Sequence, residues 1–166
     1  PGWNVSIGAQ ISGQSVAGVV YAPSFAGGTI WSATRGGGAF VSVNGGKAQK
    51  ISVNNPIELS HALLATGFSY SRETRREQGA KFAKLIPEVR DIRRFGAAAV
   101  DLCFVAQGAV DGFFEIGLKP WDLAAGGLIA TEAGATLTNL SGDSADESFT
   151  IAAGPHLHAN LLKLLN

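Results

Sequence analysis

Asp101, Asp111, Glu115 and Asp122 crowd into one short stretch of a 166-residue chain that holds only 13 Asp and Glu. Paired carboxylates can hold a hard cation or move protons. Asp101 interrupts an otherwise apolar run, and the other three stand at predicted strand and helix boundaries. Asp122 precedes Leu123-Ala124-Ala125-Gly126-Gly127. Glycine inside a helix costs roughly 1 kcal/mol relative to alanine, so the adjacent pair implies crowding against another element. Two readings of Asp122 stand side by side. As a helix N-cap it would contribute about 1 kcal/mol. As a hard-cation ligand it would sit beside a helix N-terminus that also favours an anion. Glu115 ends the Phe113-Phe114 strand. It is either an exposed strand-end charge or part of a site.

Other chemistries lack their residues. No Gly-x-Ser-x-Gly elbow is present. His61, His156 and His158 form no His-Glu-x-x-His pattern, and Cys103 no Cys-x-x-Cys, so no zinc site is expected. His156 and His158 are expected at the surface near the start of the last helix. Gly36-Gly37-Gly38 could cradle a phosphate, but no P-loop Lys-Ser/Thr follows, and a hairpin turn accounts for it. The single Cys103 cannot form an internal disulfide and reads as an inert core thiol, consistent with a cytoplasmic protein. The 13 Lys and Arg balance the 13 acidic residues, leaving no basic surplus for nucleic acid or an anionic membrane. Arg72, Arg75 and Arg76 alternate with Glu73 and Glu77 as a solvated helix face. No apolar run approaches the ~20 residues of a membrane span, and no signal-peptide pattern opens the chain.

The elements that position these residues fall into two halves. Val5 to Val53 reads as an antiparallel meander, with turns at Ser12-Gly13-Gln14, Gly27-Gly28, Gly36 to Gly38 and Asn44-Gly45-Gly46. Strands and helices then alternate. Strands are predicted at Ala62 to Gly67, Val89 to Phe95, Val110 to Ile116, Ala135 to Leu140 and Phe149 to Ala153. Helices are predicted over Glu73 to Ile86, Ala97 to Gln107, Asp122 to Ala133 and from Pro155 onward. Ser141 to Ser148 reads as a loose acidic loop. A mixed sheet layered with helices follows, in the α/β class. Charged residues are 16%, against roughly 25% in ordinary soluble domains, so more protein is expected to cover part of the surface. The chain holds no Met, and Trp3 to Ala9 alternates like a strand with no lead-in. It is therefore expected to be the downstream part of a longer protein.

One run carries a resemblance. Lys119-Pro120-Trp121-Asp122-Leu123-Ala124-Ala125-Gly126-Gly127-Leu128-Ile129-Ala130-Thr131-Glu132-Ala133-Gly134 resembles the C-terminal signature of the inositol monophosphatase family, W-D-x-A-A-G-x-L-I-x-x-E-A-G-G. Arg94 to Cys103 resembles the family's G-[ST]-A-A segment. Val110-Asp111-Gly112-Phe113-Phe114-Glu115 resembles its Asp-Gly-aromatic-aromatic-Glu strand. The opening strands and the Arg35 to Phe40 turn are similar too, so the likeness covers the chain from 1 to 166. It implies the layered αβαβα sugar-phosphatase fold, a homodimer, and a Mg2+-dependent phosphomonoesterase acting on inositol-1-phosphate or a similar polyol phosphate. By the same resemblance Asp122 is a metal ligand, Glu115 contacts substrate hydroxyls, and Gly96, Ala97 and Ala98 line the substrate.

Two departures qualify it. Ala97 stands where the family has Ser or Thr, removing a hydroxyl contact, and Ala135 replaces the final glycine. The family's D-P-[IL]-D-G-T motif and upstream Glu pair are absent from this sequence, so the catalytic residues are expected upstream of Pro1. The chain by itself is accordingly expected to lack turnover and to expose apolar faces of its two buried-type helices. Three readings compete: an inositol-1-phosphate phosphatase; a sister enzyme acting on fructose bisphosphate, histidinol phosphate or a phosphorylated nucleotide; and a non-catalytic scaffold on the same fold. An intact D-P-x-D-G-T motif in the coding sequence upstream of Pro1 separates the enzymes from the scaffold.

Overall fold

Alternating apolar residues and tight turns fold the first part of the chain into a five-stranded meander. β1 (Val5–Ile11), β2 (Gln14–Ala22), β3 (Thr29–Thr34), β4 (Gly38–Val43) and β5 (Gln49–Ile51) pair in sequence order, each antiparallel to the next. The computed structural model describes residues 3–166; Pro1, expected to follow the missing motif, lies with Gly2 outside the described residues. Ser12 and Gly13 take φ of 51° and 76°, the two-residue left-handed turn whose twist suits paired strands. The register sets Val20, Ala22, Trp31, Ala33 and Ala39 on one buried face. Val5, Ile7, Tyr21 and Ile30 share the opposite face and are exposed.

The second sheet is mixed, in the order β7-β6-β8-β10-β9. It contains β6 (Leu63–Thr66), β7 (Asp91–Arg93), β8 (Gly112–Glu115), β9 (Thr136–Thr138) and β10 (Thr150–Ala153). β6 runs parallel to β7 and β8, while β10 runs antiparallel to β8 and β9. Two helices, α2 (Ala98–Ala106) and α4 (Gly126–Glu132), lie between the sheets. Val100, Leu102 and Ile129 share one core there with Val20, Trp31, Phe113 and Ala152. A Cβ on Gly126 would stand 3.0 Å from the Ala99 carbonyl oxygen, so the glycine pair does mark close helix packing. The far face of the second sheet is covered by α1 (Arg72–Leu85) and α5 (Pro155–Leu165), where Leu85, Leu157, Leu161 and Leu165 pack against Leu64, Phe114 and Ile151. Ser71 caps α1, its Oγ accepting from the Thr74 amide at 3.3 Å. The described residues thus build sheet, helices, sheet, helices: four of the five expected layers.

Several expectations need correction. The helix expected over Asp122 to Ala133 is two helices, α3 (Pro120–Leu123) and α4, broken at Ala124-Ala125. Proline at the first helical position starts the helix early. The break is pressed onto the first sheet: a Cβ on Gly18 would lie 2.9 Å from the Ala125 Cα. The two buried-type helices do not expose apolar faces, because the sheets cover them on both sides; exposed apolar residues lie on the outer face of the first sheet and, beyond it, at Tyr70, Ile86, Phe95 and Trp121. His158 is buried rather than superficial, and its Nε2 is 2.9 Å from Thr138 Oγ1. Burial holds its pKa below the usual histidine value. His156 is at the surface, 3.2 Å from Glu58. The segment from Ser141 to Ser148 is stapled rather than loose. Asn139 accepts from the Ser141 and Asp143 amides and donates to Asp146 at 3.0 Å.

Candidate active site

Three element ends converge beside the second sheet. β8 delivers Glu115 at its last residue, α2 begins after Gly96 and Ala97, and α3 carries Asp122 in its first turn. Together with Phe68, Ser69, Tyr70 and Arg94 they line a cleft of about 280 Å³. A neighbouring concavity of about 510 Å³ shares Gly96, Ala97, Ala98 and Asp122, and adds Trp3, Asn4, Ser6 and Trp121. All five residues expected in a site therefore meet in one place.

Asp122 is not the N-cap of its helix. It stands three positions in, and its Oδ2 accepts from the Lys119 backbone amide at 2.8 Å. One carboxylate oxygen thus closes the first turn, which fixes the side chain and leaves Oδ1 without a hydrogen-bond partner among the described residues. Glu115 is half-buried, and burial pushes its carboxyl up to about 7; Arg94 opposes that rise and the Asp122 charge adds to it. Ala97 precedes α2 and gives no side-chain cap. The Val100 and Asp101 amides donate to the Ala97 carbonyl at 2.9 Å, so Ala98 and Ala99 carry the amides left over at the positive end of α2, which starts at the cleft wall.

Asp101 lies behind these groups. It is 1% exposed, and neither carboxylate oxygen has a hydrogen-bond partner among the described residues. Burial first, then the Glu115 charge, raises its carboxyl to about 7, against the pull of Arg94. Asp111, the fourth carboxylate, serves the fold. It accepts from Asn54 Nδ2 at 2.8 Å and from the Leu63 amide at 2.7 Å. The sequence reading missed Arg94 as a site residue, although it stands two positions before Gly96 in a chain poor in charge. It also missed Phe68, Ser69 and Tyr70, which carry no motif and reach the cleft only because β6 lies next to β8. The Gly36 to Gly38 turn does cradle an anion, but the chain's own: the Gly36 and Gly38 amides donate to the Glu132 carboxylate at 2.8 and 2.9 Å.

The donors suit a hard divalent ion in kind, since Asp122 and Glu115 offer only oxygen. They do not complete a shell: among the described residues no three His, Cys, Asp or Glu side chains converge to hold a metal. No helix there is long and apolar enough to cross a membrane.

A sequence model of the inositol monophosphatase family matches residues 1–166. The chain belongs to the inositol monophosphatase family. A Mycobacterium tuberculosis protein named inositol-1-monophosphatase SuhB is 44% identical over 167 residues, covering 99% of this chain and 56% of its own length. A Pasteurella multocida protein named Nus factor SuhB is 37% identical over 166 residues, covering 98% of this chain and 59% of its own length. The solved structure of Mycobacterium tuberculosis SuhB matches with a TM-score of 0.87 and 43% identity, over 99% of this chain and 64% of that one. The chain thus spans little more than half the length of the curated inositol monophosphatase relatives it matches, and its layered sheets and helices follow the inositol monophosphatase fold.

Proposed function

We propose that this chain supplies the polyol-binding half of a Mg2+-dependent phosphomonoesterase acting on inositol-1-phosphate or a similar cyclitol or sugar phosphate. The observation that carries it is the convergence of Asp122, Glu115, Arg94 and the uncapped start of α2 on one cleft. Asp122, held by its bond to the Lys119 amide, presents its remaining oxygen to the cation. When bound, Mg2+ supplies neutralisation of phosphoryl charge and a water acidified for attack on phosphorus. Arg94 and the Ala98 and Ala99 amides at the start of α2 attract the phosphate dianion. Glu115 orients the ring hydroxyls, and its raised pKa lets it donate or accept near neutrality. The remaining metal ligands lie outside the described residues on this reading. The lone buried thiol of Cys103 supports a cytoplasmic location.

Replacing Asp122 with Asn in the full-length protein tests the assignment. Phosphate release from inositol-1-phosphate at saturating Mg2+ should fall at least about 100-fold with the thermal melt unchanged, since metal stabilisation is worth several kcal/mol. Turnover within a few-fold of wild type would make Asp122 a helix cap alone. A sister substrate such as fructose bisphosphate, histidinol phosphate or a phosphorylated nucleotide would show as a higher kcat/KM than inositol-1-phosphate in the same assay. The Pasteurella multocida relative is named a Nus factor, which keeps a role other than ester hydrolysis beside the enzyme reading, and the scaffold reading is of that kind. It would stand if wild-type full-length protein showed no metal-dependent turnover on any of these esters.

A further inference from the structure

We propose that Gly67 and Gln78 are positioning residues for the Glu115 carboxylate and so set the preference for polyol phosphates over simple phosphate esters, an inference that rests on the reading of Glu115 above. Gly67 directly follows β6, and the pairing of Thr66 with Phe114 places it beside Glu115 at the end of β8. A Cβ built on Gly67 would overlap the Glu115 carboxylate, meeting its Cδ and both oxygens. Gly67 is not among the glycines with positive φ. The backbone conformation therefore does not demand glycine there; the volume taken by the carboxylate does. The atoms in conflict belong to the end of a side chain, so an added methyl displaces the carboxylate and leaves the strand in place.

Gln78 explains why the strand end holds its position. It is a buried polar residue on α1, a helix otherwise buried only at Leu85. Its Nε2 donates to the Gly67 carbonyl at 3.3 Å and its Oε1 accepts from the Ser69 amide at 2.9 Å. One side-chain amide thus spans Phe68 and satisfies the backbone on both sides of it, where no neighbouring strand does. A buried amide left unpaired is costly, so both bonds are needed together. Thr66 completes the brace, its Oγ1 donating to the Phe114 carbonyl at 2.8 Å. The carboxylate therefore rests on a floor fixed from α1 and from β8.

A site that hydrogen-bonds hydroxyls discriminates strongly against esters lacking them. In full-length protein, Gly67→Ala should raise KM for inositol-1-phosphate about tenfold while leaving kcat/KM for p-nitrophenyl phosphate within about twofold, as expected when a hydroxyl contact is misplaced. Gln78→Leu, which removes both bonds, should lower the same polyol-to-aryl ratio. Adding Gly67→Ala to Glu115→Ala should cause no further loss, because the three atoms nearest the new methyl, all of the Glu115 carboxylate, are then gone. A crystal structure of Gly67→Ala should show the carboxylate moved from above residue 67. A wild-type ratio in Gly67→Ala, equal losses on both esters, an additive loss in the double variant, or an unmoved carboxylate overturns the proposal. Should Gly67→Ala not fold, an unchanged ratio in Gln78→Leu overturns it. An unchanged ratio in Glu115→Ala overturns the reading of Glu115 itself, and this proposal with it.

Discussion

Asp101→Asn is expected to stabilise the protein, and by an amount that grows with pH. Asp101 is 1% exposed and its oxygens have no partner among the described residues. Its carboxyl rises from 3.8 to about 7, first through burial and then through Glu115, with Arg94 pulling the other way. A raised acid favours its protonated form in the folded state. The stability this gives is fully present below the unfolded value near 3.8 and is lost as pH climbs to about 7. Asn keeps the shape and removes the ionisation. Each pKa unit is worth 1.36 kcal/mol, so a shift of about three units caps the gain near 4 kcal/mol at pH 8. Between pH 5 and 7 the difference should grow by roughly 2 to 3 kcal/mol and then level off. Urea unfolding of wild type and variant full-length protein at pH 5 and pH 8 measures this directly. Glu115 also rises to about 7 in the wild type, so the comparison isolates Asp101 apart from the coupling between the two carboxyls. A gain that does not change with pH would reduce the effect to packing. A loss at pH 8 would show Asp101 ionised and paired with a donor outside the described residues.

Two further outcomes follow from the same structure. Glu132→Ala removes the acceptor for the Gly36 and Gly38 amides and should cost about 1–2 kcal/mol in chemical denaturation, while Glu132→Gln, which keeps one acceptor, should cost about half as much. The full-length protein should run as a homodimer in light scattering at micromolar concentration, on the strength of the low charge fraction; a monomer there refutes it.

Much of this arrangement was legible in the residues because local rules and global fold agree. The meander announces itself through alternation and left-handed turns, and α5 through its leucine stripe behind Pro155. The Trp121 to Gly134 run names a family. Local rules fail where a long-range contact decides the outcome. The break between α3 and α4 falls where β1 and β2 press on Ala124 and Ala125 through Gly8 and Gly18, contacts that the local sequence does not announce. His158 looks like a first-turn surface residue until β9 supplies Thr138. Gly67 reads as the glycine closing a strand, yet its reason for being glycine lies in Glu115, on a different strand.

The bond of Asp122 to the Lys119 amide is compatible with the metal role proposed for it. A ligand carboxylate must be held still, and a cap bond to the Lys119 amide does that with one oxygen while the other stays available. The same economy governs the cleft. Burial there makes negative charge costly, as the raised carboxyls of Glu115 and Asp101 show, and Arg94 is the cation that opposes both. Where a chain accepts that cost at the converging ends of three elements, rigid packing beneath maintains it: here α2 against α4, and Gln78 against the end of β6. The relief available to such a site is an added positive charge or a proton.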